Sequence, residues 1–395
     1  MSPLKISWKN LVSKPLSSAL NILLIAFGAG ILTILLLAST QVSEKLENNS
    51  KDIDLVVGAK GSPLQLILSS IYYIDFPTGN IPLREAMELA HSPFVKRAVP
   101  LALGDNYNGI RIVGTDSNFV AVYKLAVAEG KIWQADFETV IGSNVAQAQH
   151  LKIGDTFYGA HGLTGNSDVH KAHQYVVKGI LRPQGNVTDN LILTNIGSVW
   201  KMHGDQEKAG EHHEEPKELT SLLIQYRSPM SVALFPRMVN ETTNMQAASP
   251  AQESTRLFSL IGVGVDTLQW FAVLIMLIAA ISVFVNLYNS LKERSYDLAI
   301  MRTLGASRNQ LFFIVISEGI MLTLAGTLAG IALGHLAIQL IGSYQESSQA
   351  RMTGIVLLFD ELYLFVAGLG IGIFAAVIPA IQAYRSNISK ILSQN

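Results

Sequence analysis

Four stretches, Ala19–Thr40, Thr267–Leu291, Leu311–Ile341 and Leu362–Tyr384, stay apolar for longer than the roughly 18 residues expected of a bilayer-crossing helix. The third carries a single charge, Glu318, near its start. The segment between the first and second has ordinary soluble composition, with polar and apolar positions interleaved. The pattern therefore predicts an integral membrane protein with four transmembrane α-helices and one large extramembrane domain. The first apolar run exceeds the ~7–15 residues of a signal-peptide core, so it reads as a retained anchor.

Ahead of that anchor, Leu4, Trp8, Leu11 and Val12 recur at helical spacing, with Lys5 and Lys9 off that face. Such a helix suits the membrane interface, and Pro15 can close it before the span begins. After the span, Gln41–Lys51 continues as a polar stalk. Asp54-Leu-Val-Val-Gly reads as a buried strand, and Ser62-Pro63 as the cap and first residue of a helix. Gly109–Gly114, Thr139–Ser143, Gln174–Leu181 and residues 219–227 are strand candidates, while Ser143–Leu151 and Pro229–Asn244 are helical. The domain is thus mixed α+β, with a helix from about residue 250 leading back to the membrane.

The expected division is a cytoplasmic amphipathic helix (1–18), a first span with the start of a stalk (19–45) and the extramembrane domain (46–262). A second span (263–291), an inner connection (292–310) and a third span (311–341) follow. A short outer loop (342–361), a fourth span (362–384) and a tail (385–395) complete the chain.

Charge sets the orientation. Lys5, Lys9 and Lys14 precede the first span; Lys292, Arg294, Arg302 and Arg308 lie between the second and third; Arg385 and Lys390 follow the fourth. The 342–361 loop sets Arg351 against Glu346, Asp360 and Glu361. By the positive-inside rule both termini and the 292–310 connection face the cytoplasm, and the large domain faces outward, the periplasm of a two-membrane bacterium. The net charge of −1 averages over compartments and says nothing more. No cysteine is present, so an outward domain must rely on a hydrophobic core.

The stretch Lys292–Ala306 is amphipathic and caught between two spans. Leu298, Ile300, Met301 and Leu304 give it an apolar side, Arg294, Asp297 and Arg302 are too polar for lipid, and Gly305 suits a helix C-cap. A short helix held there is placed to receive a push from the cytosol. In the third span Gly326, Gly330 and Gly334 form a small-residue stripe that lets two backbones approach. Glu318 must point away from lipid, a structural carboxylate before a proton relay. The fourth span has Gly368, Gly370 and Gly372, then Pro379, which predicts a kink.

Catalytic signals are weak. Gly58-Ala-Lys-Gly61-Ser misses the phosphate-loop spacing, and no other stretch meets it, so ATP hydrolysis is expected in a different polypeptide. The spans lack paired carboxylates and His-Glu-x-x-His, and His335 stands alone. One tract is distinctive: His203, Glu211, His212, His213 and Glu214 put imidazole and carboxylate together on a Gly-containing loop. Zinc, copper or nickel would suit those donors, and a solvated polar loop fits as well. His161, His170 and His173 join it only if the fold brings them near, while His150 reads as a surface or capping residue.

Lys-Glu-Arg-Ser-Tyr-Asp-Leu-Ala-Ile-Met-Arg-Thr-Leu-Gly-Ala-Ser, the four spans and the outward domain after the first resemble the MacB/FtsX/LolC-type ABC permease family. Ser317-Glu318-Gly319 and Ala375–Arg385 resemble its third and last spans. Val140–Ser143, Leu151–Asp155 and Val177–Leu181 resemble its periplasmic core domain. The resemblance implies a homodimer, or a dimer with a similar permease, carrying cytosolic ABC ATPases. These would hold ATP and Mg²⁺, with no cofactor in this chain.

It further implies that the helix matching Leu291–Arg302 rests in a groove of the ATPase. Lys292, Arg294, Asp297, Ile300, Met301, Arg302, Leu304 and Gly305 are then the coupling residues. A periplasmic adaptor or binding protein and membrane lipid are further expected partners, and nucleic acid is not. The leading expectation is a non-catalytic permease subunit moving a lipoprotein, lipid, peptide or small toxic compound in a bacterial inner membrane. Zinc handling through 203–215, and regulation of a periplasmic enzyme without transport, are the alternatives.

Overall fold

The computed structural model describes residues 3–161, 173–204, 217–344 and 352–385. Two compact units emerge, one of Met1–Val42 with Ile261–Asn395 and one of Ser43–Leu260. The chain opens with α1 (Pro3–Ser13) and α2 (Pro15–Ser50), separated at Pro15 as expected. Next come β1 (Leu55–Ala59), α3 (Pro63–Ser70), β2 (Ile81–Pro82), α4 (Leu83–Ala90), β3 (Val95–Tyr107) and β4 (Ile110–Thr115). Then follow α5 (Ser117–Val122), β5 (Val127–Gly130), β6 (Glu138–Ile141), α6 (Ser143–Gln149), β7 (Thr156–Phe157), β8 (Ala160–His161) and β9 (Tyr175–Leu181). The mixed unit ends through β10 (Ile192–Asn195), α7 (Ile196–Gly204), β11 (Glu218–Leu219), β12 (Ser221–Tyr226), α8 (Pro229–Thr242) and β13 (Met245–Ala248). Four helices close the chain: α9 (Pro250–Glu293), α10 (Ser295–Thr303), α11 (Arg308–Tyr344) and α12 (Glu361–Arg385).

The mixed unit is built on one sheet with the path β13-β1-β12-β3-β4-β10-β6-β9-β5; β7 adds to β9 and β8 to β3. Pairs β10–β4 and β6–β9 are parallel and the others antiparallel. Strand β3 joins the two halves, since its first part pairs with β12 and its last part with β4. Strand alternation then sorts the core by face. Val56, Leu223 and Val113 point to one side, into a cluster with Leu66, Ile67 and Phe119; Leu55, Val57, Leu222 and Ile224 point to the other, against Phe235 and Val239 of α8. A third cluster joins Ile112, Ile141, Tyr175, Val177 and Ile192 with Met202 of α7.

Local sequence explains the short helices. The Ser62 side chain accepts the Gln65 N–H with Pro63 at the first helical position, so α3 starts where the Ser-Pro pair dictates. His150 caps the C-terminal end of α6 at φ 54. Helices α2 and α9 outrun the apolar stretches, at 36 and 44 residues; no Pro falls inside either extension, and α9 continues through Gly262 and Gly264. The stalk stops where Asp52 takes φ 66. The stretch Lys292–Ala306 is not one helix: α9 ends at Glu293 and Arg294 separates it from α10.

In the helical unit α11 is flanked closely on two sides. A Cβ placed on Gly326, Gly330 or Gly334 would lie 2.6, 2.6 or 2.7 Å from Ile25, Ala26 or Thr33 of α2. On another side, Cβ atoms at Gly368 and Gly372 of α12 would each fall 2.2 Å from a threonine hydroxyl of α11, Thr327 and Thr323. In lipid, apolar burial does not drive helix pairing, so close approach of backbones supplies the contact energy instead. The expected glycine stripe is therefore an interhelical surface. Helix α12 runs through Pro379, which is buried.

Two outcomes follow. Gly330→Ala must push α2 and α11 apart and lower stability by ~1–3 kcal/mol, whereas Gly370→Ala, with nothing within 4 Å, leaves the thermal midpoint of the purified chain unchanged. In the mixed unit the Glu138 carboxylate accepts the Gln134 and Ala135 N–H groups at 2.8 and 3.1 Å. These bonds, with Lys178 nearby, hold its pKa below the usual glutamate value. Its stabilising contribution is complete above the unfolded value of ~4.3 and is lost as pH falls through the lower folded value. Denaturation curves of Glu138→Gln and wild type should accordingly differ at pH 7 and converge in that acidic window.

Candidate functional site

The connection between α9 and α11 is specified almost atom by atom. Helix α9 closes with Arg294 N–H donating to Ser290 O at 3.2 Å, and α10 starts with Leu298 N–H donating to Arg294 O at 3.0 Å. Helix α10 ends in a Schellman arrangement: Ala306 N–H reaches Met301 O at 2.9 Å and Gly305 N–H reaches Arg302 O at 3.1 Å. Gly305 sits at φ 102, as its cap assignment requires. Immediately afterwards, Gln310 N–H donates to Ser307 Oγ at 3.2 Å and Ser307 N–H to Gln310 Oε1 at 2.8 Å. That is a capping box for α11, legible in the Ser-x-x-Gln spacing yet missing from the sequence reading.

A buried carboxylate ties this connection to the rest of the helical unit. Glu318 is 5% exposed. Its Oε1 accepts from Arg294 Nη1 at 3.2 Å and from Asn10 Nδ2, and Arg294 Nη2 also donates to Asn10 O at 3.4 Å. Ser7 donates to Ile314 O at 2.9 Å and shares a 2.7 Å bond with Ser317 Oγ. Lys14 pairs with Glu293. Glu318 thus faces protein, as its cost in lipid demands, and it joins α1, the α9–α10 break and α11.

This arrangement gives α1 a second, polar contact face. Its polar positions Ser7 and Asn10, with Lys14 just beyond its end, are engaged, while Leu4, Trp8 and Val12 are exposed. Leu4, Trp8 and Val12 stay free for the membrane interface, while Leu11 packs partly against the helical core.

Helix α10 is revised, because the expected single apolar side divides in two. Leu298 and Met301 pack inward with Leu311, Ile314, Val315, Ala380 and Ala383. Ile300, Leu304, Tyr296 and Asp297 are exposed, with Leu304 at 83%. Lys292 sits over the Tyr288 ring at 4.6 Å, and Arg302 is half-buried in the last turn. Of the predicted coupling residues, Arg294 and Met301 therefore anchor the helix, while Asp297, Ile300 and Leu304 present a surface. Nine residues can do both because 100° per residue sets positions 298 and 301 on one side and 296 and 300 on the other, with Leu304 following as the C-cap.

His335 does not stand alone. One ring nitrogen lies 2.7 Å from Gly354 O and the other 3.1 Å from Glu361 Oε1. The histidine and acid tract falls outside the described residues: only the backbone of His203, near the end of α7, is described, and His212, His213, Glu211 and Glu214 are not. His173 stacks on Phe137 at 4.4 Å. Among the described residues no group of three metal-ligating side chains converges.

Residues 18–241 match the MacB-like periplasmic core domain family, and residues 270–388 match the FtsX-like permease C-terminal family. The chain is 22% identical over 364 residues to the pyoverdine export ATP-binding/permease protein PvdT of Pseudomonas putida, covering 84% of this chain and 51% of that one. It is 23% identical over 263 residues to the lipoprotein-releasing system transmembrane protein LolC of Neisseria meningitidis, covering 63% and 60% respectively. The crystal structure of the periplasmic region of MacB from Actinobacillus actinomycetemcomitans aligns with 54% of this chain and 97% of its own, at 10% identity and a TM-score of 0.36. The chain spans about half the length of the curated relatives it matches. With four helices long and apolar enough to cross a membrane and both family segments in order, the chain belongs to the MacB/FtsX/LolC-type permeases of ABC transporters.

Proposed function

We propose that this permease converts ATP hydrolysis by an ABC ATPase into a conformational change of its mixed α+β domain, and so moves an amphiphilic cargo. Lipoproteins, lipids, peptides and small toxic compounds are the candidate cargo class, in keeping with the lipoprotein-releasing and pyoverdine-export relatives. The observation that carries the reading is the two-faced helix α10. One side is exposed and apolar at Tyr296, Ile300 and Leu304, and the other is fixed into the helical unit.

On this reading the ATPase grips the exposed side, and the Arg294–Glu318–Asn10 contacts pass its closure into α1 and α11. Unbroken α2 and α9 carry the displacement onward, since each continues from one compact unit into the next. The basic residues Lys5, Lys9, Lys14, Lys292, Arg294 and Arg302 support a cytoplasmic α10 and termini, with the mixed domain in the periplasm. Two copies of the chain, or one with a similar permease, would flank the paired ATPases.

The two roles separate experimentally. The double variant Ile300→Glu, Leu304→Glu removes apolar anchors worth ~2 kcal/mol or more, so co-purification of the ATPase from the native host should fall by at least ~30-fold. Arg294→Ala should leave that co-purification intact but abolish the response of ATPase activity to cargo. Undiminished ATPase capture by the double variant would reject α10 as the docking element; an unaltered response in Arg294→Ala would reject the transmission path.

A further inference from the structure

The connection between α11 and α12 does not project freely from the helix ends. Its described part, residues 352–360, lies along α11. Thr353 N–H donates to Gln41 Oε1 at 2.9 Å, and Gln41 Nε2 returns a bond to Thr353 O at 2.7 Å. Gly354 N–H donates to Gln339 Oε1 at 2.9 Å, and Gly354 O is bound by His335 at 2.7 Å. The contact is backbone to backbone: a Cβ on Gly342 would fall 1.9 Å from Met352 O, and one on Gly354 2.0 Å from His335 O. The connection therefore returns along the helix from Gly342 to His335, about 10 Å at ~1.5 Å per residue. Glu361, the first residue of α12, meets His335 at that level and accepts the Leu358 N–H at 3.1 Å.

Between these clamps the chain is apolar. Ile355, Val356, Leu357 and Phe359 are exposed, at 79, 43, 78 and 95%. Their height follows from helix lengths. The Arg308 guanidinium over the Tyr384 ring sets the α10 ends of α11 and α12 level. From there His335 is ~40 Å along α11, and Glu361 is ~35 Å along α12. A hydrocarbon core of ~30 Å within ~40–45 Å of total bilayer puts both at the boundary of headgroups and acyl chains in the leaflet remote from α10. The exposed row continues into Leu362, Tyr363 and Val366 of α12, which is membrane-facing surface. Within the described residues 352–361 the charged side chains are Asp360 and Glu361, both acidic, so this part of the connection offers no cation to lipid phosphate.

We propose that residues 355–359 are an apolar anchor inserted among the acyl chains of that leaflet, the outer one in the orientation proposed above. It fastens the start of α12 and the outer third of α11 to the lipid by hydrophobic contact rather than by headgroup charge. The anchor is independent of the ATPase reading, and each can fail without the other.

The chain has no cysteine, so single labelling sites are available directly. Spin labels at Phe359→Cys and Leu357→Cys, with Asp360→Cys as a reference, would be read in the full chain in phosphatidylcholine vesicles. Accessibility to oxygen relative to an aqueous nickel chelate should be several-fold higher at 357 and 359 than at 360. It should stay so when anionic lipid or salt is added. Nickel access at 359 equal to that at 360 overturns the anchor. So does dipolar broadening between labels at 359, which would place a second copy of the chain on this surface. Retained thermal stability of the labelled variants confirms that the measurement reports on the folded protein.

Discussion

A carboxylate enclosed by helices at membrane depth must be answered by donors or it destabilises everything around it, and Glu318 is the point at which this helical unit meets that demand. Glu318 is almost fully buried, so its donors come from the chain. They come from Arg294 at the break between α9 and α10 and from Asn10 on α1. Removing Arg294 would leave the buried carboxylate without its cation, and removing Asn10 would leave it short of a donor. The position of the break, the seating of α1 and the register of α11 are consequently linked through one side chain.

The rest of the helical unit is held by a different force. Gly326, Gly330 and Gly334 admit the α2 backbone, and Gly368 and Gly372 admit threonines of α11. Dispersion at close range does here what water exclusion does in the mixed α+β unit, where Val56, Leu66, Val113 and Phe119 are sealed on one face of the sheet. Strand β3 gives that sheet its continuity, being the element that pairs with both halves. A protein with one part in lipid and one in water needs both solutions, and each is visible in its own residue types.

Helix α10 is the place where packing and the proposed docking role meet. Its inward residues Leu298 and Met301 are satisfied within the unit, so its outward residues Ile300 and Leu304 are exposed without weakening it. A Schellman turn at Gly305 and a capping box at Ser307 and Gln310 fix the angle to α11. A surface held that firmly is suited to transmitting force, because displacement is not absorbed by a loose hinge. At the far end of the same helix, the clamps on Thr353 and Gly354 give a second firm attachment.

The four membrane helices, the α+β character of the large domain, the Ser62 and Gly305 caps and the glycine stripe were all readable from residue order. Each is a local property: run length, period, or a residue whose backbone preference acts on its neighbours. The division of α10 into two faces was not readable, because Leu298 and Ile300 are equally apolar and only the positions of α11 and α12 decide which is covered. Nor was the engagement of α1 through Ser7 and Asn10, since hydrophobic periodicity points to the opposite face and the partner, Glu318, is 308 residues away from Asn10 in sequence. His335 read as solitary for the same reason: Gly354 and Glu361 reach it only once α12 has folded back beside α11. Local chemistry specified the elements, and long-range proximity specified which side chains answer one another's charge.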